Sequence, residues 1–354
     1  MNETKFFEGR TIAITGAAGT IGQELIIQLL KLPVAEVRAL DNNESELFFL
    51  SKKYWGLKNF QCFYVDIKDE SKLNYLLKGV DYLFHAAALK HISICERSPF
   101  STVQNNIIGL QNVIQASILN KIKKVLFTSS DKAVNPTSVM GTSKLMGERL
   151  ITAANILRAS DEDTIFASTR FGNVAGSKGS VIPLFTQQIA KDSHVTLTSN
   201  EMTRFMMTLN NAVDLIIKSM MISQGGEVYV SKMPVMRICD LADVMVELLS
   251  PVFNRNPLEI EIISIGAQPG EKLYEELIND EEVRRTMESE DMFIIFPALR
   301  NIYSNIVYKM EELSLKPINT SYNSSKAKTL NKAEIKEFLL SYNVFPEDLR
   351  SKLK

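Results

Sequence analysis

Asp131 and Lys132 are adjacent, with Ser130 before them and Lys144 twelve residues on. A carboxylate, an amine and a hydroxyl in one short run offer an acid and a base to a single substrate. They follow the apolar run Val125-Leu126-Phe127 and precede a stretch from Gly141 to Leu150 that reads as the start of a helix. Open α/β sheets place their chemistry where a strand runs out in this way. On its own the triplet serves equally well as a solvated turn with an N-cap, and the rest of the chain must decide.

The elements upstream supply a cofactor site. Arg10 to Thr15 is a β-branched run, followed by Gly16, Gly19, Thr20, Ile21 and Gly22, then by apolar residues at helical spacing to Leu32. Strand, glycine-rich turn and helix in that order cradle a pyrophosphate. Gly16 makes the tight turn, Gly19 admits the phosphate, and Gly22 lets the helix approach the strand. The second strand, Glu36 to Leu40, ends in Asp41, which suits the hydroxyls of an adenine ribose. No Arg or Lys follows at 42–44, and Glu44 adds negative charge, so NAD fits better than a 2′-phosphorylated cofactor. Asp66 and Ile67 close the third strand at the adenine position. Ala86 and Ala87 close a fourth strand (Asp81 to His85) and leave room for a cofactor. Lys90 and His91 follow as polar contacts to a sugar or as structural residues. His85 reads as buried and hydrogen-bonded, and an Asn at 105 or 106 as a structural bracket for neighbouring backbone.

Strands and helices alternate to about residue 170, which predicts an α/β fold with a Rossmann-type, doubly wound parallel sheet. Residues 1–170 form the dinucleotide-binding domain, and 205–240 return to it. Residues 171–204 and 241–354 form a smaller C-terminal α/β substrate-binding domain. Glycine and hydrogen-bonding side chains mix in 170–183, Arg204 lies beyond, and such loops suit a second anionic ligand such as a nucleotide-sugar diphosphate. Further strands are expected over 226–231, 260–265 and 292–296, helices over 143–159, 209–221, 238–250 and 332–342, and a polar link over 319–326.

Composition excludes several classes. The chain has 354 residues, 45% of them hydrophobic and 23% charged, with a net charge of −1. That balance gives no electrostatic basis for nucleic-acid or anionic-membrane binding. Cys62, Cys95 and Cys239 are too scattered for a disulfide framework or a zinc site, and no metal site is expected. Cys62 and Cys239 sit in apolar runs and are expected in the core. No signal region or membrane span is evident, so a cytoplasmic protein is expected.

The chain resembles the extended short-chain dehydrogenase/reductase superfamily, and more narrowly its 4,6-dehydratases of UDP-N-acetylglucosamine. The resemblance is carried by Thr15 to Gly22, Ser130 to Pro136, Val139 to Lys144, Arg170 to Val174, Met202 to Phe205 and Pro269 to Leu273, in family order. Two positions depart from the superfamily pattern. Met140 stands where most members have a tyrosine acid/base, and a thioether has no proton to transfer; one dehydratase branch is known for this methionine. Ser130 stands where a threonine is usual.

The resemblance implies NAD-dependent oxidation at C4 of a UDP-linked (or GDP-linked) N-acetylhexosamine. Loss of water across C5–C6 and hydride return to C6 then give a 4-keto-6-deoxy sugar nucleotide. It implies Lys132 as base at C5 and Asp131 as acid at the C6 oxygen, with the reverse allocation open. Ser130 would bond the sugar oxygens, and Lys144 the nicotinamide ribose. Lys90, His91, Asn173, Arg204, Met140 and Ser130 are the expected substrate contacts. The resemblance also implies a homo-oligomer, at least a dimer. A nucleotide-sugar 4-epimerase and a non-catalytic NAD-binding sensor are the alternatives.

Overall fold

The computed structural model describes residues 2–156, 163–191, 194–266, 270–299, 303, 306, 308–310, 313–342 and 344–353. Its centre is a ten-stranded sheet. The labelled strands are β1 (Thr11–Thr15), β2 (Glu36–Asp41), β3 (Phe60–Tyr64), β4 (Tyr82–His85), β5 (Lys124–Thr128) and β6 (Ile165–Arg170). They continue as β7 (Val228–Ser231), β8 (Thr286–Glu288), β9 (Met292–Ile295) and β10 (Lys316–Pro317). The spatial order is β10-β8-β9-β7-β6-β5-β4-β1-β2-β3. From β3 to β7 every pairing is parallel, while β9, β8 and β10 add on antiparallel.

β1, β4 and β5 are apolar along almost their whole length because helices cover both faces, as a central parallel strand requires. The chain order reverses between β1 and β4. The ends of these strands therefore open a crevice at the switch point, and both the glycine turn and Ser130 lie there.

A second apolar cluster forms the smaller lobe. It joins the helix Val181–Lys191, the helix Ile238–Leu249 and the helix Lys332–Ser341. Two small sheets pack against it, Val235–Arg237 with Thr203–Met207 and Asn173–Val174, and Glu261–Ser264 with His194–Leu197, while a third, Glu276–Ile278 with Tyr322–Asn323, packs on the core of the large sheet.

Several expectations change at this level. β8, β9 and β10, placed above with the substrate-binding part, extend the large sheet instead, because β9 pairs with β7. The run from Val181 forms a helix despite Pro183, since a proline in a first turn removes no helical hydrogen bond. The helix expected over 143–159 spans Val139–Ala153, and residues 157–162 lie outside the described residues. The helix Gly109–Leu119 is preceded by a wide π turn at Val103–Ile108 that carries Asn105 and Asn106.

Cys62 and Cys239 are only half-buried, whereas Cys95 is buried. Cys62 lies on β3, an edge strand with one thinly covered face, and Cys239 in the first turn of a helix. His85 is buried as expected, its Nδ1 2.6 Å from Thr15 Oγ1. Burial pushes it down to about 3, so it stays neutral.

Candidate active site

A cleft of about 730 Å³ runs along the ends of β1, β2, β4 and β5. One end is the glycine turn. Gly16 has φ +69°, and a β-carbon there would come within 2.6 Å of Ala87 N, so the turn lies directly on the end of β4. Gly19 caps the helix Thr20–Leu29 without any side-chain hydrogen bond, and no acidic residue occupies the first turn. Its amides face the cleft with no competing carboxylate, which fits a pyrophosphate. Asp41 ties this corner together: Oδ2 accepts from Ala18 N at 2.9 Å and Oδ1 from Asn43 N at 2.9 Å.

Thr20, Ile21, Asp41, Ile67, Ala86, Ala87 and Lys144 line the cleft as expected. Asp66 does not. Its carboxylate turns to Lys68, accepting from the backbone N at 3.0 Å with the Nζ at 3.2 Å. Burial raises its pKa, but these contacts outweigh that and hold it below the ordinary value. Lys144 is buried, donates to Thr128 O at 2.8 Å and lies 4.7 Å from the Phe127 ring centroid. Burial brings it down to about 8, against the opposing pull of Glu148.

The other end of the cleft holds Ser130, Lys132, Met140 and Asn173. Asp131 is fully buried behind them and does not reach the cleft surface. Its Oδ1 accepts from Ser130 Oγ at 2.6 Å, Lys132 N at 2.9 Å and Lys132 Nζ at 3.0 Å. Lys132 Nζ also lies 3.7 Å from Glu275 Oε1, a residue the sequence reading passed over, and 3.5 Å from Asn173 Oδ1. Burial works against the Lys132 ammonium, but the Asp131 and Glu275 carboxylates outweigh it and the pKa is raised. Lys132 therefore rests as an ammonium against Asp131. Glu275 is raised as well, here because burial wins: burial raises it and Asp131 adds to that, against Lys132, Arg204 and Lys272. Position 140 offers no titratable group, since the Met140 thioether is buried there.

Arg204, expected at a diphosphate, is also buried away from the cleft. Its guanidinium donates to three backbone carbonyls, those of Thr203 (2.8 Å), Lys272 (2.8 Å) and Leu273 (3.3 Å). It clamps the 270–275 segment that carries Glu275. Lys90 and His91 do line the cleft, with Lys90 Nζ donating to Lys178 O at 2.9 Å. Lys178 in turn pairs with Glu46 at 2.9 Å, so the loop after Gly176 arches over the glycine turn. Asn106 fixes the near wall: it accepts from Leu89 N (2.8 Å) and donates to Leu89 O and Ser143 Oγ (2.9 Å each). Among the described residues no group of His, Cys, Asp or Glu is arranged to hold a metal ion.

Behind the site the helix Val139–Ala153 is held to β6 by a buried ionic cluster. Arg170 donates to Glu148 at 2.6 and 3.0 Å and to Glu282 at 2.9 and 3.1 Å. All three are buried, and each has its partners satisfied, as a buried charge requires.

With this geometry in view, residues 12–297 match the model of a family described as polysaccharide biosynthesis protein. The chain belongs to this family. Its fold is that of the extended short-chain dehydrogenase/reductases. Pen of Bacillus thuringiensis, known from its X-ray structure, is 39% identical with a TM-score of 0.89, over 96% of this chain and 100% of that one. An uncharacterized membrane protein of Methanocaldococcus jannaschii is 43% identical over 95% of this chain and 97% of its own. No described helix of the present chain is long and apolar enough to cross a membrane. A UDP-glucose 4-epimerase of Rickettsia massiliae is 34% identical over 98% and 99%. DesIV of Streptomyces venezuelae, a dTDP-glucose 4,6-dehydratase solved with NAD, shares the fold at 20% identity, with a TM-score of 0.65 over 74% and 86%.

Proposed function

We propose that this member of the polysaccharide biosynthesis family is an NAD-dependent nucleotide-sugar 4,6-dehydratase. Its substrate would be UDP-N-acetylglucosamine or a close UDP- or GDP-linked N-acetylhexosamine. One observation carries the reading: at the end of β5 the Lys132 ammonium lines the cleft of the glycine turn with the buried Asp131 carboxylate directly behind it, while position 140 holds an inert thioether. Proton chemistry has left the tyrosine position and gathered at Asp131 and Lys132.

The Gly16–Gly22 turn, Asp41, Ile67, Ala86, Ala87 and Lys144 would hold NAD. Bound there, NAD would supply reversible hydride transfer, oxidising C4 as the 4-hydroxyl proton leaves by way of Ser130 or water, and later reducing C6 as C5 takes back a proton. Elimination of water moves one proton from C5 to the C6 oxygen, so the protein must offer a base and an acid that share one proton. Asp131 and Lys132 have that composition across 3.0 Å. Transfer of the Lys132 proton to Asp131 leaves an amine for C5 and an acid for the C6 oxygen. The opposite allocation uses the pair as it rests, with Ser130 Oγ, 2.6 Å from Asp131, relaying between the buried carboxylate and the cleft.

A second reading, 4-epimerisation, is favoured by the similarity to the Rickettsia UDP-glucose 4-epimerase. It shares the C4 oxidation but needs no acid–base pair for C5 and C6. Phe100, Val103, Ile108 and Met146 leave an exposed apolar face on neighbouring helices, which supports a homodimer packed through it. The test is to incubate the protein with NAD and UDP-N-acetylglucosamine and follow products by NMR and mass spectrometry. Loss of one water is expected, and an isomer of unchanged mass would favour epimerisation. Asp131→Asn and Lys132→Ala should each lower the rate by more than ~100-fold, and near-wild-type turnover in either would end this assignment.

A further inference from the structure

Glu275 is a buried carboxylate set between two cations. Its side chain is 3% exposed, Oε1 faces Lys132 Nζ at 3.7 Å and Arg204 Nε at 3.9 Å, and Oε2 has no hydrogen-bond partner among the described residues. The backbone around it is fixed. Glu275 N donates to Ser324 Oγ at 2.9 Å, its carbonyl accepts from Ser324 N at 2.9 Å, and that hydroxyl is 2.9 Å from Thr203 Oγ1. Arg204 closes the other side through the carbonyls of Lys272 and Leu273.

The charges facing one another in this pocket are Lys132, Arg204 and Lys272 against Asp131 and Glu275. Lys272 Nζ points away to Val134 O at 2.8 Å. Without Glu275, the half-buried Lys132 and the buried Arg204 would have only the carboxylate of Asp131 between them. Lys132 would then lose its proton at lower pH, because one of the two carboxylates that favour its charged form is gone and an ammonium deprotonates far more readily than a guanidinium.

We propose that Glu275 is a positioning residue of the dehydratase site: through Lys132 it retains the one proton that Asp131 and Lys132 share. The catalytic consequence rests on the dehydratase reading, whereas the electrostatic content does not. Either allocation of acid and base needs that single proton, so its loss marks the alkaline limit of activity. A purely structural Glu275 would anchor Arg204 and leave the Lys132 titration where it is.

The experiment follows the Lys132 side chain by NMR in lysine-labelled full-length protein, assigned with Lys132→Arg, alongside the pH–rate profile. Glu275→Gln keeps the shape and removes the charge. It is expected to lower the Lys132 titration, and the alkaline limb of kcat, by about one pH unit or more. Glu275→Asp, which withdraws the carboxylate by one methylene, should give a smaller fall in the same direction and serves alone if the amide variant does not fold. An unmoved Lys132 titration in a folded variant overturns the proposal, whatever happens to turnover. A titration that moves in a protein with no dehydratase turnover leaves this proposal standing and removes the dehydratase reading instead.

Discussion

Gly141→Ala isolates the positioning of the pair from its chemistry. Gly141 lies in the first turn of the helix Val139–Ala153, whose N-cap Ser138 accepts from Gly141 N at 3.1 Å. A β-carbon at 141 would collide with the carbonyl oxygen of Lys132 and sit 3.2 Å from Pro136 Cβ. Restoring an ordinary contact requires the Lys132 backbone to move by roughly 1 Å. Two stability effects oppose each other: alanine gains about 1 kcal/mol of helix propensity, and the overpacking costs about 1–3 kcal/mol. The melting temperature should therefore fall by only a few degrees. NAD affinity, measured by calorimetry, should hold, because the glycine turn is built on other strands. Turnover should not hold, since about 1 Å of displacement of a positioned acid or base costs on the order of 100-fold. A folded Gly141→Ala protein with kcat within about threefold of wild type would refute the claim that the 131–132 turn must sit where this helix holds it.

Two further outcomes follow from the charges behind the site. Arg170→Met strands Glu148 and Glu282 as buried carboxylates and should cost about 3–5 kcal/mol in denaturant melts, with partial recovery in Arg170→Met/Glu148→Gln. Burial raises Glu282 but Arg170 outweighs it and the folded pKa is lowered, so wild-type stability from this contact is present above the ordinary carboxylate range and lost as pH falls below it. Lys144 should titrate near pH 8 by NMR. Its folded value lies below the unfolded one, so the unfolded chain binds more protons between about pH 8 and 10.4, and wild-type stability should rise with pH there relative to Lys144→Met, by roughly 3 kcal/mol in all.

The parallel sheet and its cofactor corner were legible because each part has a local signal. β-branched runs, three glycines and a strand-end Asp41 need only their neighbours to be interpreted. Ser130, Lys132 and Lys144 were legible for the same reason. Glu275 was not: it reaches the site through a strand pairing between Glu276–Ile278 and Tyr322–Asn323, inside a stretch that reads as a polar link. Arg204 was misplaced because a buried guanidinium satisfied by three carbonyls has the same sequence signature as one awaiting an anion. β8, β9 and β10 look like part of the smaller lobe until β9 is seen pairing with β7, a contact between segments some 60 residues apart.

The central claim is that hydride leaves C4 and returns at C6 after water is lost. UDP-N-acetylglucosamine deuterated at C4, turned over with catalytic NAD, tests it directly. The account predicts a product lighter by one water with the deuterium in a new C6 methyl group. A product of unchanged mass with the deuterium back at C4 of an inverted centre would contradict it and make the protein an epimerase.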